Sequence, residues 1–88
     1  MLLTQVALRP DRTDHMRLSD NELVDLLWIN AAVSDGINHI HARTFDDTTK
    51  VVFFVLAAEQ ETSDQVGRRT CERAIRNVPA LVGWSIQY

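Results

Sequence analysis

The sequence predicts an α+β domain in which four strands form one antiparallel sheet and two helices cover one of its faces. Three observations carry that reading. Two stretches with helical spacing of apolar residues, each opening on polar capping residues, alternate with four strand-like stretches in the order β-α-β-β-α-β. The run Lys50 to Ala58 is apolar on both sides once past its lysine, which places it in the interior of a sheet. Asp46-Asp47-Thr48-Thr49 is a turn of the kind that closes a hairpin. With right-handed crossovers and adjacent hairpin strands, these segments favour the ferredoxin-like split β-α-β arrangement, strand order 4-1-3-2, both helices on one face.

Each element follows from its residues. Leu2 to Arg9 reads as the first strand, ended by Pro10, which cannot donate to a ladder. The polar segment Pro10 to Arg17 reads as a loop. Ser19 and Glu22 form a capping box, in which the serine hydroxyl takes the Glu22 amide and the carboxylate returns to the Ser19 amide. The helix it opens is expected to reach about Ser34, with Leu23, Leu26, Leu27, Ala31 and Val33 facing inward and Asn30 inside that stripe. Gly36 suits a left-handed stop. Ile37 to Phe45 is a strand with Ile40 and Ala42 on one side and His39, His41 and Arg43 on the other. A second helix opens at Glu61-Thr62-Ser63-Asp64-Gln65, with Thr62 and Gln65 at capping-box spacing. Its inward stripe is Gly67, Thr70, Cys71, Ala74, Ile75 and Val78, small enough for close approach to the sheet, and Arg68, Arg69, Arg73 and Arg76 point outward. Leu81 to Tyr88 alternates as a last strand.

The bulk numbers bound the function classes. Eighty-eight residues make one small domain, 1–88, with 45% hydrophobic and 24% charged residues, which is globular composition. A net charge of −3 argues against non-specific nucleic-acid binding. The single Cys71 forms no internal disulfide, and no apolar run reaches membrane-spanning length, so a cytoplasmic protein is expected, with no membrane and no nucleic-acid partner.

Function is expected on the sheet face that the helices leave open. Gln5, Ala7, Arg9, His39, His41, Arg43, Ser85 and Gln87 fall there, crossed by one apolar row of the central strand. That row is either Phe53-Val55-Ala57 or Val52-Phe54-Leu56, so Phe53, Phe54 and Val55 are the interface candidates. An apolar row left wet costs about 1.5–3 kcal/mol per large side chain, which favours its burial against a second copy or another protein. Arg9, Arg12, Arg43 and the amides after Ser19 gather at one sheet edge and would suit a small anionic ligand, while the plainer reading is a solvated basic edge balanced by Asp11, Asp14, Asp46 and Asp47. His39 and His41 share a face at i and i+2 and could hold a metal only with a third ligand such as His15; an ordinary polar role outweighs that, so no metal or cofactor is expected. No nucleophile or paired carboxylate is tied by spacing to either histidine, so no catalytic residue is assigned. Cys71, on an inward stripe, reads as a structural thiol.

The segment Ala31 to Ile40, whose distinctive piece is Gly36-Ile37-Asn38, with the hairpin and Lys50 to Ala58 that follow, resembles the middle of an ACT domain. That resemblance implies paired domains holding a small metabolite at their interface, with Asn38 a contact. The Arg9 to Leu18 segment differs from that family, which has a short Asp-x-Pro-Gly type of turn after the first strand. The sequence therefore predicts a non-catalytic binding or regulatory module, a homodimer or one that docks a protein partner, with ligand contacts at Arg9, Asn38, His39, His41 and Arg43. The alternative is a small cofactor-free enzyme with its cleft at His39, His41 and Arg43.

Overall fold

A computed structural model of the chain describes residues 1–10 and 18–87. Strands β1 (Leu2–Arg9), β2 (Ile37–Phe45), β3 (Thr48–Val55) and β4 (Ser85–Gln87) form one sheet; helices α1 (Asp20–Ile29) and α2 (Gln60–Asn77) complete the α+β fold. The sheet order is β2-β3-β1-β4, which is β4-β1-β3-β2 from the other edge, and every neighbouring pair is antiparallel. Both helices pack into one core with the same sheet face: Leu23 and Leu27 from α1 and Val66, Cys71 and Ala74 from α2 join Val6, Leu8, Ile40, Val51 and Phe53.

The first two strands begin and end where their residues place them, since Pro10 stops one and Gly36 opens the way to the other. The capping box at Ser19 is present, with the Glu22 amide on Ser19 Oγ at 3.1 Å and the Ser19 amide on Glu22 Oε1 at 3.2 Å. Helix α1, however, ends at Ile29 rather than near Ser34. Asn30 accounts for this: its Nδ2 donates to the Leu26 carbonyl at 3.0 Å and its amide to Leu27, closing the last turn from within. The chain then makes a 3-10 turn, Val33–Asp35, in which Asp35 Oδ2 accepts from the Ala32 amide. Val33, expected inward, is consequently fully exposed.

Gly36 sits at φ 73°, and a Cβ there would lie 3.0 Å from the Leu56 carbonyl oxygen. Its own carbonyl accepts from the Leu56 amide at 2.8 Å, tying the entry of β2 to the exit of β3. The hairpin turn shrinks to Asp46-Asp47, with Asp46 at φ 53°, because Thr48 and Thr49 pair with Phe45 and Thr44. Strand β3 is thus Thr48–Val55 rather than Lys50 to Ala58.

Helix α2 starts at Gln60 and has no side-chain cap, so Thr62 and Gln65 lie inside the helix instead of framing its start. Its small inward residues do let it approach: a Cβ on Gly67 would stand 2.9 Å from Thr4 Cγ2 and 3.1 Å from Phe53 Cδ2. Arg73 is not an outward, solvated arginine. It is half-buried, donates from Nη1 to the Asn30 carbonyl at 2.5 Å and lies 3.9 Å from Asp35 Oδ2, binding the end of α1 to α2. Among the described residues the last strand is Ser85–Gln87, and Tyr88, expected at its end, lies outside them. Before it, Pro79–Leu81 form a 3-10 turn and Gly83 takes φ 88°, which turns Leu81 and Trp84 into the core and leaves Val82 exposed.

Candidate functional site

Register decides what the open face carries. Leu3, Phe54 and His39 form one cross-strand row; Gln5, Val52 and His41 form the next; Gln87, Ala7, Lys50 and Arg43 form a third. Phe53 and Val55 face the other way and are wholly buried, so they belong to the core and cannot line this face. Phe54 is the interface candidate that does, and of the two possible apolar rows Val52-Phe54-Leu56 is the outward one.

The face is polarised along its strands. At the end where β1 begins and β3 leaves the sheet stand Leu3, 55% exposed, half-buried Phe54 and, just past the strand, Leu56, 73% exposed. The ring of His39 meets Phe54 edge-on at 5.3 Å between centroids. At the hairpin end stand Lys50 and Arg43, cross-strand neighbours, with Arg9 on β1. The Arg43 guanidinium lies 5.8 Å from the Phe45 ring centre, a cation–π contact that orients it while leaving it exposed. Leu3 and Arg9 are six positions apart, about 20 Å at about 3.3 Å per residue, and Phe54 and Lys50 are four positions apart, about 13 Å. Among the described residues, no strand position on this face is occupied by Asp or Glu, and no carboxylate pairs with Arg9, Arg43 or Lys50.

The other predicted site residues are placed less favourably. Asn38 falls at an irregularity where β2 shifts register against β3, and its exposed amide reaches only Met1 Sδ at 3.8 Å. His39 and His41 do share the open face, but among the described residues no group of three or more His, Cys, Asp or Glu could hold a metal. Arg12 and His15, and the loop from residue 11 to 17, lie outside the described residues. The start of α1 is occupied by its own acids. Glu22 serves the capping box, and Asp20 accepts from the Thr44 hydroxyl at 2.6 Å and the Thr44 amide at 3.3 Å. Both carboxylates bring negative charge to the first turn of α1, where the helix dipole favours it.

Two polar features lie away from the face. Thr4, on the core side of β1, donates to Asp64 Oδ1 at 2.8 Å, which leaves Ser63 Oγ, 2.5 Å away and fully buried, as donor to Thr4. Gln60 Nε2 joins them, donating to Asp64 Oδ1 at 2.9 Å and to the Leu3 carbonyl at 2.8 Å. Gln60 and then Thr4 hold the Asp64 carboxyl below the ordinary aspartate range. With Ser63 sealed from solvent, this cluster ties α2 to β1 and offers no nucleophile. Burial, followed by the Glu72 charge, pushes the Cys71 thiol up to about 12, so it stays protonated and inert at neutral pH.

Leu3, Lys50 and Phe45 are site residues that the sequence reading did not single out. Phe45 was detectable at i+2 from Arg43, whereas Leu3 was hidden by its equally apolar neighbour Leu2. Comparison with models of protein families, with curated proteins and with solved structures returns no match for this chain. Among the described residues, no helix is long and apolar enough to cross a membrane.

Proposed function

We propose that this chain is a non-catalytic docking module that binds protein, another chain or a second copy of itself, through the open face of its sheet. The element order, the strand order and the shared helix face support reading the fold as the ferredoxin-like split β-α-β arrangement, which leaves one sheet face free. The observation that carries the functional reading is the exposed apolar cluster of Leu3, Phe54 and Leu56 set beside cations on that face. Clusters of this kind mark interaction surfaces. The enzyme alternative has less support: His39, His41 and Arg43 stand in line on an open edge strand, and among the described residues neither histidine has a hydrogen-bond partner to orient it.

An apolar sulfonate dye, anilinonaphthalene sulfonate, matches both properties of the face and tests the reading. The wild type is expected to enhance its fluorescence, or else to sediment as a dimer with the face covered. Phe54→Asp, checked for folding by circular dichroism, should lose the dye signal or dissociate the dimer. Ile29→Asp, a more exposed apolar position on α1, should change neither. A monomeric wild type whose dye binding is untouched by Phe54→Asp would end the docking reading. The domain pairing implied by the ACT resemblance is tested by the same sedimentation run.

A further inference from the structure

From the docking reading above and the polarity of the face, we infer that its occupant is a segment of a different protein in which an apolar cluster and a carboxylate cluster lie about 13–20 Å apart. The face has two distinct ends. Leu3, Phe54 and Leu56 offer apolar contact at one, and Arg9, Arg43 and Lys50 offer charge at the other, with no Asp or Glu on the strand positions between them. The whole chain carries −3 while the strand positions of this face carry three cations and no acid, so the remainder of the molecule is net acidic. Among the described residues Arg9, Arg43 and Lys50 have no carboxylate partner, so they are complementary to carboxylates from outside, and Arg43 presents its planar fork already oriented by Phe45.

The same charges speak against a second copy. A two-fold contact sets a patch against itself. With the two-fold axis along the strands, cations meet cations; with it across the strands, cations meet the apolar end and lose water without gaining a carboxylate. A lipid surface is a poorer fit, because an interfacial element buries its apolar side chains only about 5–10 Å, with its charges at headgroup level, and here the two groups are spread along the strands. A nucleic-acid strand would need stacking rings on successive rows. Val52 and Lys50 occupy the rows between Phe54 and Phe45.

The test uses the full chain and fluorescently labelled synthetic probes read by anisotropy. One peptide carries a Leu-Phe-Leu block, six small polar residues and a Glu-Glu-Glu block; a second replaces the glutamates by lysines; a third joins the two blocks without the spacer. A ten-residue oligothymidine and vesicles with one-third phosphatidylserine complete the set. The spaced acidic peptide should bind at least tenfold tighter than the other probes, and raising the salt from 0.05 to 0.5 M should weaken it. The double variant Arg43→Glu/Lys50→Glu should bind at least tenfold less of it and come to prefer the lysine peptide, a gain that misfolding cannot produce. Equal binding of the acidic and lysine peptides, tighter binding of the oligonucleotide or the vesicles, or a wild-type dimer dissociated by Phe54→Asp would overturn the inference. If no peptide binds while the dye signal still depends on Phe54, the docking reading stands and this inference falls alone.

Discussion

Phe53 and Phe54 are consecutive on β3 and meet opposite surroundings. Phe53 is wholly buried beneath α2, so close that a methyl group on Gly67 would crowd its ring at 3.1 Å. Phe54 lies half-buried on the open side, with the edge of His39 for company and solvent above. The core face is uniform: Thr4 and Ser63 are its polar members near Phe53, and both are hydrogen-bonded. The open face is graded from apolar to cationic along about 20 Å. A uniform face needs only shape complementarity to be stable, whereas a graded one can orient whatever docks on it.

Four measurements would break or sharpen this contrast. The largest effect on folding is expected from Phe53→Ala, which should cost about 3–5 kcal/mol in urea unfolding. A loss below 1 kcal/mol would mean the ring is not part of the core. Gly67→Ala follows, at about 1–3 kcal/mol, because Thr4 and Phe53 sit where the new Cβ would be; a neutral result would show that the α2–sheet spacing gives way easily. Phe54→Ala should cost less than about 1 kcal/mol yet remove dye binding, separating stability from docking within one pair of neighbours. The smallest effect is electrostatic. Asp64 has its folded pKa lowered by Gln60 and Thr4, so its stabilisation is complete above the ordinary aspartate value and fades as pH falls through the lowered one. Urea midpoints followed from about pH 5 to about pH 2 should therefore slope less in Asp64→Asn than in the wild type. Equal slopes would remove Asp64 from the account of the core-face cluster.

Legibility varied with how much of the answer was local. The Ser19 capping box and the stop at Pro10 are chemistry between near neighbours and appear where their residues predict, whereas Gly36 takes the left-handed conformation but closes the 3-10 turn rather than α1. The end of α1 was missed because helical periodicity continues to Val33 while the Asn30 side chain satisfies the last turn early. Arg73 was assigned outward from its helical angle, but its partners, Asn30 and Asp35, belong to another element and a turn. At the candidate site, Arg9, His39, His41 and Arg43 were legible as open-face residues because their strands alternate apolar and polar.

The apolar row of β3 was not legible in that way. Its two rows are both hydrophobic, so alternation carries no information about which one faces the helices. What the sequence by itself determined is the order of elements, the bounds of β1 and β2 and the interior position of β3. Each follows from periodicity or from a breaker acting over a few residues. Only the tertiary structure decided that Phe53 faces the helices and Phe54 the open side. It alone also set Leu3 beside Phe54 and Lys50 beside Arg43, and started β4 at Ser85 rather than Leu81. Those outcomes depend on cross-strand register and on how closely α2 can approach, and both are settled by residues far apart in the chain.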